Sequence, residues 1–454
     1  MARKILLIAV TLYLLVAFNV SLILILAYAI PLDKQVNLSP NQSDVHDAQV
    51  FSVDSTVYVF WMDLILGNDD IYFKKSTDGG ASFGDTINLS NDAGDSYDYQ
   101  VNILTNDTMY VVWQDETQGV NGTSEIYFKK SIDGGASFGD TINLSNNTGD
   151  STDPYLASSN DMNIYVVWRD NSEGTEQIYF KRSTDGGASF ETGLSEQLTL
   201  SNNTAKSQDA IEPQVASDKS NVYAVWSQGD FDSNLTDIFF KKSTDGGASF
   251  GDTIYLSNSF NIHSTLPSLT LLNENVYTAW TEGPLNDGEV YYRRSTDGGA
   301  SFGETVNLSN DTGDSVRPEL RVSAPNLFIV WQNQAVKGDD IFFKRSTDGG
   351  ASFGDTINIS NNKGNSMEPE FSVTNASNVF IVWQNQASNS KPNDILLKNS
   401  TDGGASFGDA INLSSTIGNS TEPDIASSND GEVFAVWTDE TNYGKKQVFF
   451  TSVT

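Results

Sequence analysis

A chain of 454 residues is long enough for one large repeat domain or several ordinary ones. Its 59 acidic residues outnumber 26 basic ones, and the net charge of −33 repels nucleic acid and anionic lipid surfaces while leaving cations, basic proteins and neutral glycans as partners. With no cysteine and only His46 and His263, disulfide frameworks, thiol nucleophiles, cysteine-based zinc sites and multi-histidine metal centres are excluded.

Arg3 and Lys4 precede an uncharged run from Ile5 to Ile30, interrupted by few polar residues. A bilayer needs about twenty apolar residues, so residues 1–30 are expected to hold a hydrophobic helix acting as a signal anchor. Ala27-Tyr28-Ala29 equally fits a cleaved signal peptide. Both readings place residues 31–454 outside the cytoplasm, secreted or anchored at the cell surface, with the membrane engaged only through residues 5–30.

Beyond this segment the chain repeats at about fifty residues, the period of a solenoid or propeller unit. Ser-x-Asp-Gly-Gly-Ala-Ser-Phe occurs seven times, with aspartates at Asp78, Asp133, Asp185, Asp245, Asp297, Asp348 and Asp402. All eight tryptophans (Trp61, Trp113, Trp168, Trp226, Trp280, Trp331, Trp383 and Trp437) fall at one repeat position. Each unit reads as four strands; in the third they are Pro154 to Ala157, Ile164 to Trp168, Ile178 to Arg182 and Gln197 to Leu200. The second strands, such as Met109-Tyr110-Val111-Val112-Trp113, are almost continuously apolar, as expected of a sheet covered on both faces.

The mismatch of eight tryptophans and seven octapeptides resolves at the termini. The last unit stops at Thr454, where its octapeptide would fall, while Gln35-Val36-Asn37-Leu38-Ser39 matches the strand that follows an octapeptide elsewhere. The predicted fold is therefore all-β: an eight-bladed β-propeller over residues 31–454, closed by an N-terminal strand.

In the octapeptide, an aspartate followed by two glycines suits a turn in which the carboxylate accepts backbone N–H bonds, Phe83 returns as an apolar plug, and the Ser76 hydroxyl helps pair the hairpin. Seven copies argue for a structural staple rather than catalytic aspartates. The motif resembles the Asp-box, or BNR, repeat of sialidases, sortilin-type receptors and related propellers, over residues 76–407 and, with flanking units, about 35–454. Resemblance to sialidases would imply an arginine triad, a tyrosine–glutamate nucleophile pair, an acid/base aspartate and an early Arg-Ile-Pro. No Arg-Ile-Pro occurs, and Val316-Arg317-Pro318 is the nearest echo. Arg182, Arg293, Arg294 and Arg345 take the basic third-strand position, leaving Arg169, Arg317 and Arg321 for a triad. The expectation is a binding or structural module for an extracellular protein or glycan rather than an enzyme; the alternatives are a sialidase-like glycoside hydrolase and a glycan-binding lectin.

One face of such a ring carries the Asp-box turns, the other the variable loops after each Trp, where recognition normally sits. Two residues after Trp stand Asp63, Asp115, Asp170, Gln228, Glu282, Asn333, Asn385 and Asp439. At the start of the first strand stand Asp98, Asp153, Glu212, Glu368 and Glu422, with Val45, Leu266 and Arg317 in the equivalent place. Both sets are read as solvated turns or as a cation-attracting mouth; the second set would give Ca²⁺ oxygen ligands as a cofactor site. Sequons at Asn37, Asn106, Asn121, Asn143, Asn234, Asn375 and Asn419 fit an exported glycoprotein.

Overall fold

A computed structural model describes residues 35–39 and 44–453, apart from 66, 117–121, 160–161, 192–197, 202–207, 258–261, 285, 312, 336–337, 363, 376–377, 389–391, 415–417 and 441–443. The apolar segment 5–30, with its expected helix and its signal or anchor role, lies outside these residues, as does the sequon Asn121. Among the described residues no helix is long and apolar enough to cross a membrane.

The described chain is all-β. A short β1 (Val36–Asn37) precedes the first unit, made of β2 (Val45–Val53), β3 (Thr56–Ile65), β4 (Asn68–Ser76) and β5 (Ile87–Asn88). The second unit holds β6 (Ser96–Ile103), β7 (Met109–Asp115), β8 (Glu125–Ser131) and β9 (Ile142–Asn143). The third holds β10 (Ser151–Ser158), β11 (Ile164–Asp170), β12 (Gln177–Ser183) and β13 (Leu198–Thr199). In the fourth are β14 (Asp209–Asp218), β15 (Asn221–Asp230), β16 (Leu235–Ser243) and β17 (Ile254–Tyr255). The fifth has β18 (His263–Leu272), β19 (Asn275–Gly283), β20 (Glu289–Ser295) and β21 (Val306–Asn307). Next come β22 (Asp314–Ser323), β23 (Asn326–Gln334), β24 (Asp340–Ser346) and β25 (Ile357–Asn358), then β26 (Asn365–Asn375), β27 (Asn378–Gln386), β28 (Asp394–Ser400) and β29 (Ile411–Asn412). The last unit has three strands of its own, β30 (Ser420–Ser427), β31 (Val433–Glu440) and β32 (Lys446–Ser452).

Each unit is an antiparallel meander in chain order, and its fourth strand is the shortest. The fourth and fifth units are joined into one eight-stranded sheet by a single parallel pair, Thr236 with His263. The last unit takes its fourth strand from the other end of the chain: Val36 pairs with Phe450 and Asn37 with Phe449. Leu38 N–H donates to the Val448 carbonyl (2.9 Å), and Asn37 Nδ2 to Gln447 Oε1 (2.7 Å).

The second strands explain the packing. Every residue of β7 is buried, and alternate side chains leave on opposite faces. Met109, Val111 and Trp113 pack with Phe60 and Phe73 of the preceding unit, while Tyr110 and Val112 pack with Ile164 and Trp168 of the following one. Among the described residues eight such apolar clusters occur, seven of them shared by consecutive units. The eighth joins Phe434, Val436 and Phe450 of the last unit to Val45, Val57 and Val59 of the first.

The octapeptide turns reinforce these interfaces. Asp78 Oδ1 accepts from the Ser82 amide (2.9 Å) and the Ser76 hydroxyl (2.7 Å), and Oδ2 from the Ser82 hydroxyl (2.6 Å). The same pattern recurs at the other six aspartates. Phe83 does more than plug its own hairpin: it meets Phe450 of the neighbouring unit edge-on at 4.9 Å. Gly80 permits this approach, with φ of +80° and an added Cβ falling 2.4 Å from the Phe450 ring. Third-strand arginines work between units too: Arg182, Arg294 and Arg345 donate to the Gly246, Gly349 and Gly403 carbonyls of the next octapeptide (2.7 to 2.8 Å).

Candidate functional site

The first strand of each unit shares one irregularity. In β10 the register jumps from Thr152 opposite Arg169 to Tyr155 opposite Val167, so Asp153 and Pro154 together face Trp168. This is a β-bulge, which bends a strand and re-aims its side chains. It recurs in all eight first strands, always opposite the repeat tryptophan. Its leading residues are Asp47, Asp98, Asp153, Glu212, Leu266, Arg317, Glu368 and Glu422, all with φ between 50° and 56°. The following residue is proline in six units, a residue tolerated at a bulge because its missing N–H breaks no ladder bond. The sequence placed Val45 in this set; the register shift between His46 and Gln49 places Asp47 there, followed by Ala48 where six units have proline.

Two of these side chains, Glu212 and Glu422, link neighbouring units. The Glu212 carboxylate accepts from the Leu266 amide (2.6 Å), and Glu422 from the Asp47 amide (3.1 Å). Glu422 also pairs with Lys446 (2.9 Å), and Asp153 with Arg169 (3.4 Å). Two residues further along, on the same face, Asp424 and Gln214 accept from the Val50 and Leu269 amides (2.7 and 2.9 Å). Burial, more than neighbouring charge, pushes Asp47 up to about 6 and raises Asp98 and Glu212. Glu212, Glu422 and Asp153 are thus engaged by amides and cations, whereas Glu368 Oε2 is buried without a hydrogen-bond partner, and among the described residues no three acidic or histidine side chains form a group that could hold a metal.

The residues two beyond each Trp are buried, and in four units they hold the tryptophan N–H. Asp115 Oδ2 accepts from both Trp113 Nε1 (3.0 Å) and the Ser96 hydroxyl (2.8 Å), and Gln228 accepts from Trp226 (2.9 Å).

Side chains after the bulges line a cavity of about 710 Å³ fed by the first strands of seven units, including Gln49, Gln100, Tyr155, Gln214, Glu319, Arg321, Glu370 and Asp424. An adjoining cavity of about 420 Å³ shares Tyr155, Gln214, Glu319 and Arg321 and adds Glu212, Leu266 and Arg317. Arg321 Nη2 lies 3.5 Å from Glu319 Oε2, and its guanidinium sits over the Phe371 ring at 5.4 Å. The Glu319 charge raises the Arg321 pKa. Burial, then Glu319 and Asp424, holds Glu370 well above the carboxylate range, and burial brings Asp424 to about 6. Tyr155 is likewise raised by burial.

Of the sequence-selected residues, Glu368 and Glu422 reach the larger cavity, joined there by Asp47, and Glu212 and Arg317 reach the smaller, while Asp98 and Asp153 line neither. Arg317 and Arg321 share a cavity with Tyr155 and Glu319, whereas Arg169 is held by Asp153, Glu176 (3.5 Å) and Thr152 (2.8 Å). Glu319, Glu370, Asp424 and Tyr155 were missed; their signal was the period-two step beyond the bulge. The seven octapeptide aspartates stay at their turns. Hydrogen bonds from the box serines lower their pKa, to about 2 for Asp78, Asp133, Asp185 and Asp245.

No protein-family model matches the chain, and no curated protein matches it. Among solved structures it is similar to a family 25 polysaccharide lyase, an ulvan lyase, at a TM-score of 0.52 and 11% identity, covering 83% of this chain and 98% of that one. A prolyl endopeptidase structure gives a TM-score of 0.51 at 9% identity, covering 88% of this chain and 54% of that one. The NanB sialidase of Streptococcus pneumoniae is also a neighbour, at 0.39 and 10% identity, covering 92% and 69%; this likeness carries no argument. The first two similarities bear on the fold alone, which is β-propeller-like.

Proposed function

We propose that the chain is an exported Asp-box propeller of eight blades, tethered or secreted through residues 1–30, that serves as a binding module with its ligand in the central cavity. The eight two-unit apolar clusters, including the one between first and last units, support the blade count. The observation carrying the binding role is the cavity of about 710 Å³, where amide, carboxylate, guanidinium and phenol groups converge from separate strands. Such a cavity is within the size range of ligand sites, roughly 300–1,000 Å³. Its lining suits a polar segment of an extracellular glycan or protein, and the acidic surface disfavours anionic ones. The test is a binding screen of the full chain against glycans and basic proteins, repeated with Arg321→Ala and Glu370→Gln. Both variants should lose the ligand; unchanged binding in both would exclude the cavity.

Tyr155, Glu319, Arg317 and Arg321 in one cavity support a second reading, a sialidase-like glycoside hydrolase. The tie of Arg169 to Asp153 and Glu176 leaves that triad incomplete. The expected outcome is no release from a fluorogenic sialoside; turnover abolished by Arg317→Ala would promote the enzyme.

A further inference from the structure

Unit four departs from the repeat at one place, and a cavity forms there. At the second position of the short fourth strand, six units carry asparagine and one Thr199. In four of them this asparagine accepts an amide three residues on (Asn88 from Asn91 at 2.8 Å, for example) and closes the turn. Unit four has Tyr255 instead, which cannot make that bond. A local rule broken without a structural return marks a functional position.

Tyr255 is 54% exposed and Leu235 41%, two of the six large exposed hydrophobic side chains among the described residues. Both line the same cavity, of about 360 Å³, together with Gln208, Trp226, Asp237 and Phe239. Tyr255 lies 4.8 Å from Phe239 at an interplanar angle of 51°, and Phe239 stacks on Trp226 at 5.8 Å and 18°. Tyr255 and Phe239 thus give a mainly polar pocket an aromatic side, backed by the buried Trp226, and the same pocket holds a carboxylate and a carboxamide. The Asp237 carboxylate is fixed by the Ser257 hydroxyl (3.0 Å). The volume is near the lower end for ligand pockets, roughly 300–1,000 Å³. An aromatic face with a few fixed acceptors and donors matches a sugar ring, which offers an apolar C–H face and a rim of hydroxyls. Asp237 and the net charge of −33 select against acidic sugars.

We infer that the Trp226–Phe239–Tyr255 pocket is a binding site for a neutral sugar residue. It is separate from the central cavity and does not depend on it: the two share no lining residue. The site is tested by saturation-transfer NMR on the full chain with methyl α-mannoside, methyl β-galactoside, N-acetylglucosamine and cellobiose, and sialyllactose as the acidic control. At least one neutral sugar should bind and sialyllactose should not. Tyr255→Asn restores the repeat residue, so its melting temperature should hold while affinity falls by about fivefold or more. Arg321→Ala should leave this binding intact, which separates the pocket from the central cavity. Absence of binding by all four neutral sugars, or equal affinity in Tyr255→Asn, would overturn the assignment.

Discussion

Two opposed sets of carboxylates give this protein its pH response. Asp47 and Asp424 sit where burial lifts them from 3.8 to about 6. The folded state therefore binds protons that the unfolded chain does not, and stability grows as pH falls through about 6, fully developed below about 4. The octapeptide aspartates run the other way: hydrogen bonds depress them, so their contribution is present above about 4 and lost towards about 2. The melting temperature should therefore peak near pH 4 to 5. Asp424→Asn keeps an acceptor for the Val50 amide but removes one titration. Calorimetry between pH 4.5 and 7.5 should show its slope flattened, by about 1–2 kcal/mol across the range. A double variant of Asp47 and Asp424 to asparagine with an unaltered slope would refute the assignment.

At the scale of the strand, the first strand pairs only with the second in every unit but the fifth, where β18 also meets β16 at Thr236 and His263, so its other side presents an open edge of backbone groups. The repeat resolves this with side chains, as where the Glu212 carboxylate takes the Leu266 amide and Gln214 takes that of Leu269. Glu212→Leu should leave the Leu266 N–H unsatisfied and cost about 1–3 kcal/mol in urea unfolding, while Glu212→Gln should recover most of it. Equal losses in the two variants would mean that packing, not the bond, is at stake. The acid–proline pair at the strand start was plain in the sequence; its bulge was not. Proline signals an interrupted ladder without saying that Trp168 lies opposite, and Asp47, followed by Ala48 rather than proline, lacks even that signal. The post-Trp acids read as solvated because aspartate usually is; only packing reveals the tryptophan N–H and serine hydroxyl that satisfy Asp115 in the interior.

For the whole molecule, the four-strand unit, its all-β character and the complement between Val36-Asn37 and the last unit were legible because repetition multiplies a weak local signal. The cavity was not, since it depends on which side chains a bend turns inward in several units at once. The terminal pairing has a direct test. Leu38 is 1% exposed, as buried as Leu144, and belongs to the cluster between last and first units. Leu38→Ala should cost about 3 kcal/mol, matching Leu144→Ala, whereas a frayed end would lose under about 0.5 kcal/mol. The same pairing fixes the timetable of assembly. Asn37 must wait for Gln447, 410 residues later, which at roughly 5–20 residues per second of synthesis is about 20–80 seconds. Every other unit can finish its sheet soon after it emerges. This one can finish only when β32 is free, so β1 stays unpaired and this joint open while the residues between them are made.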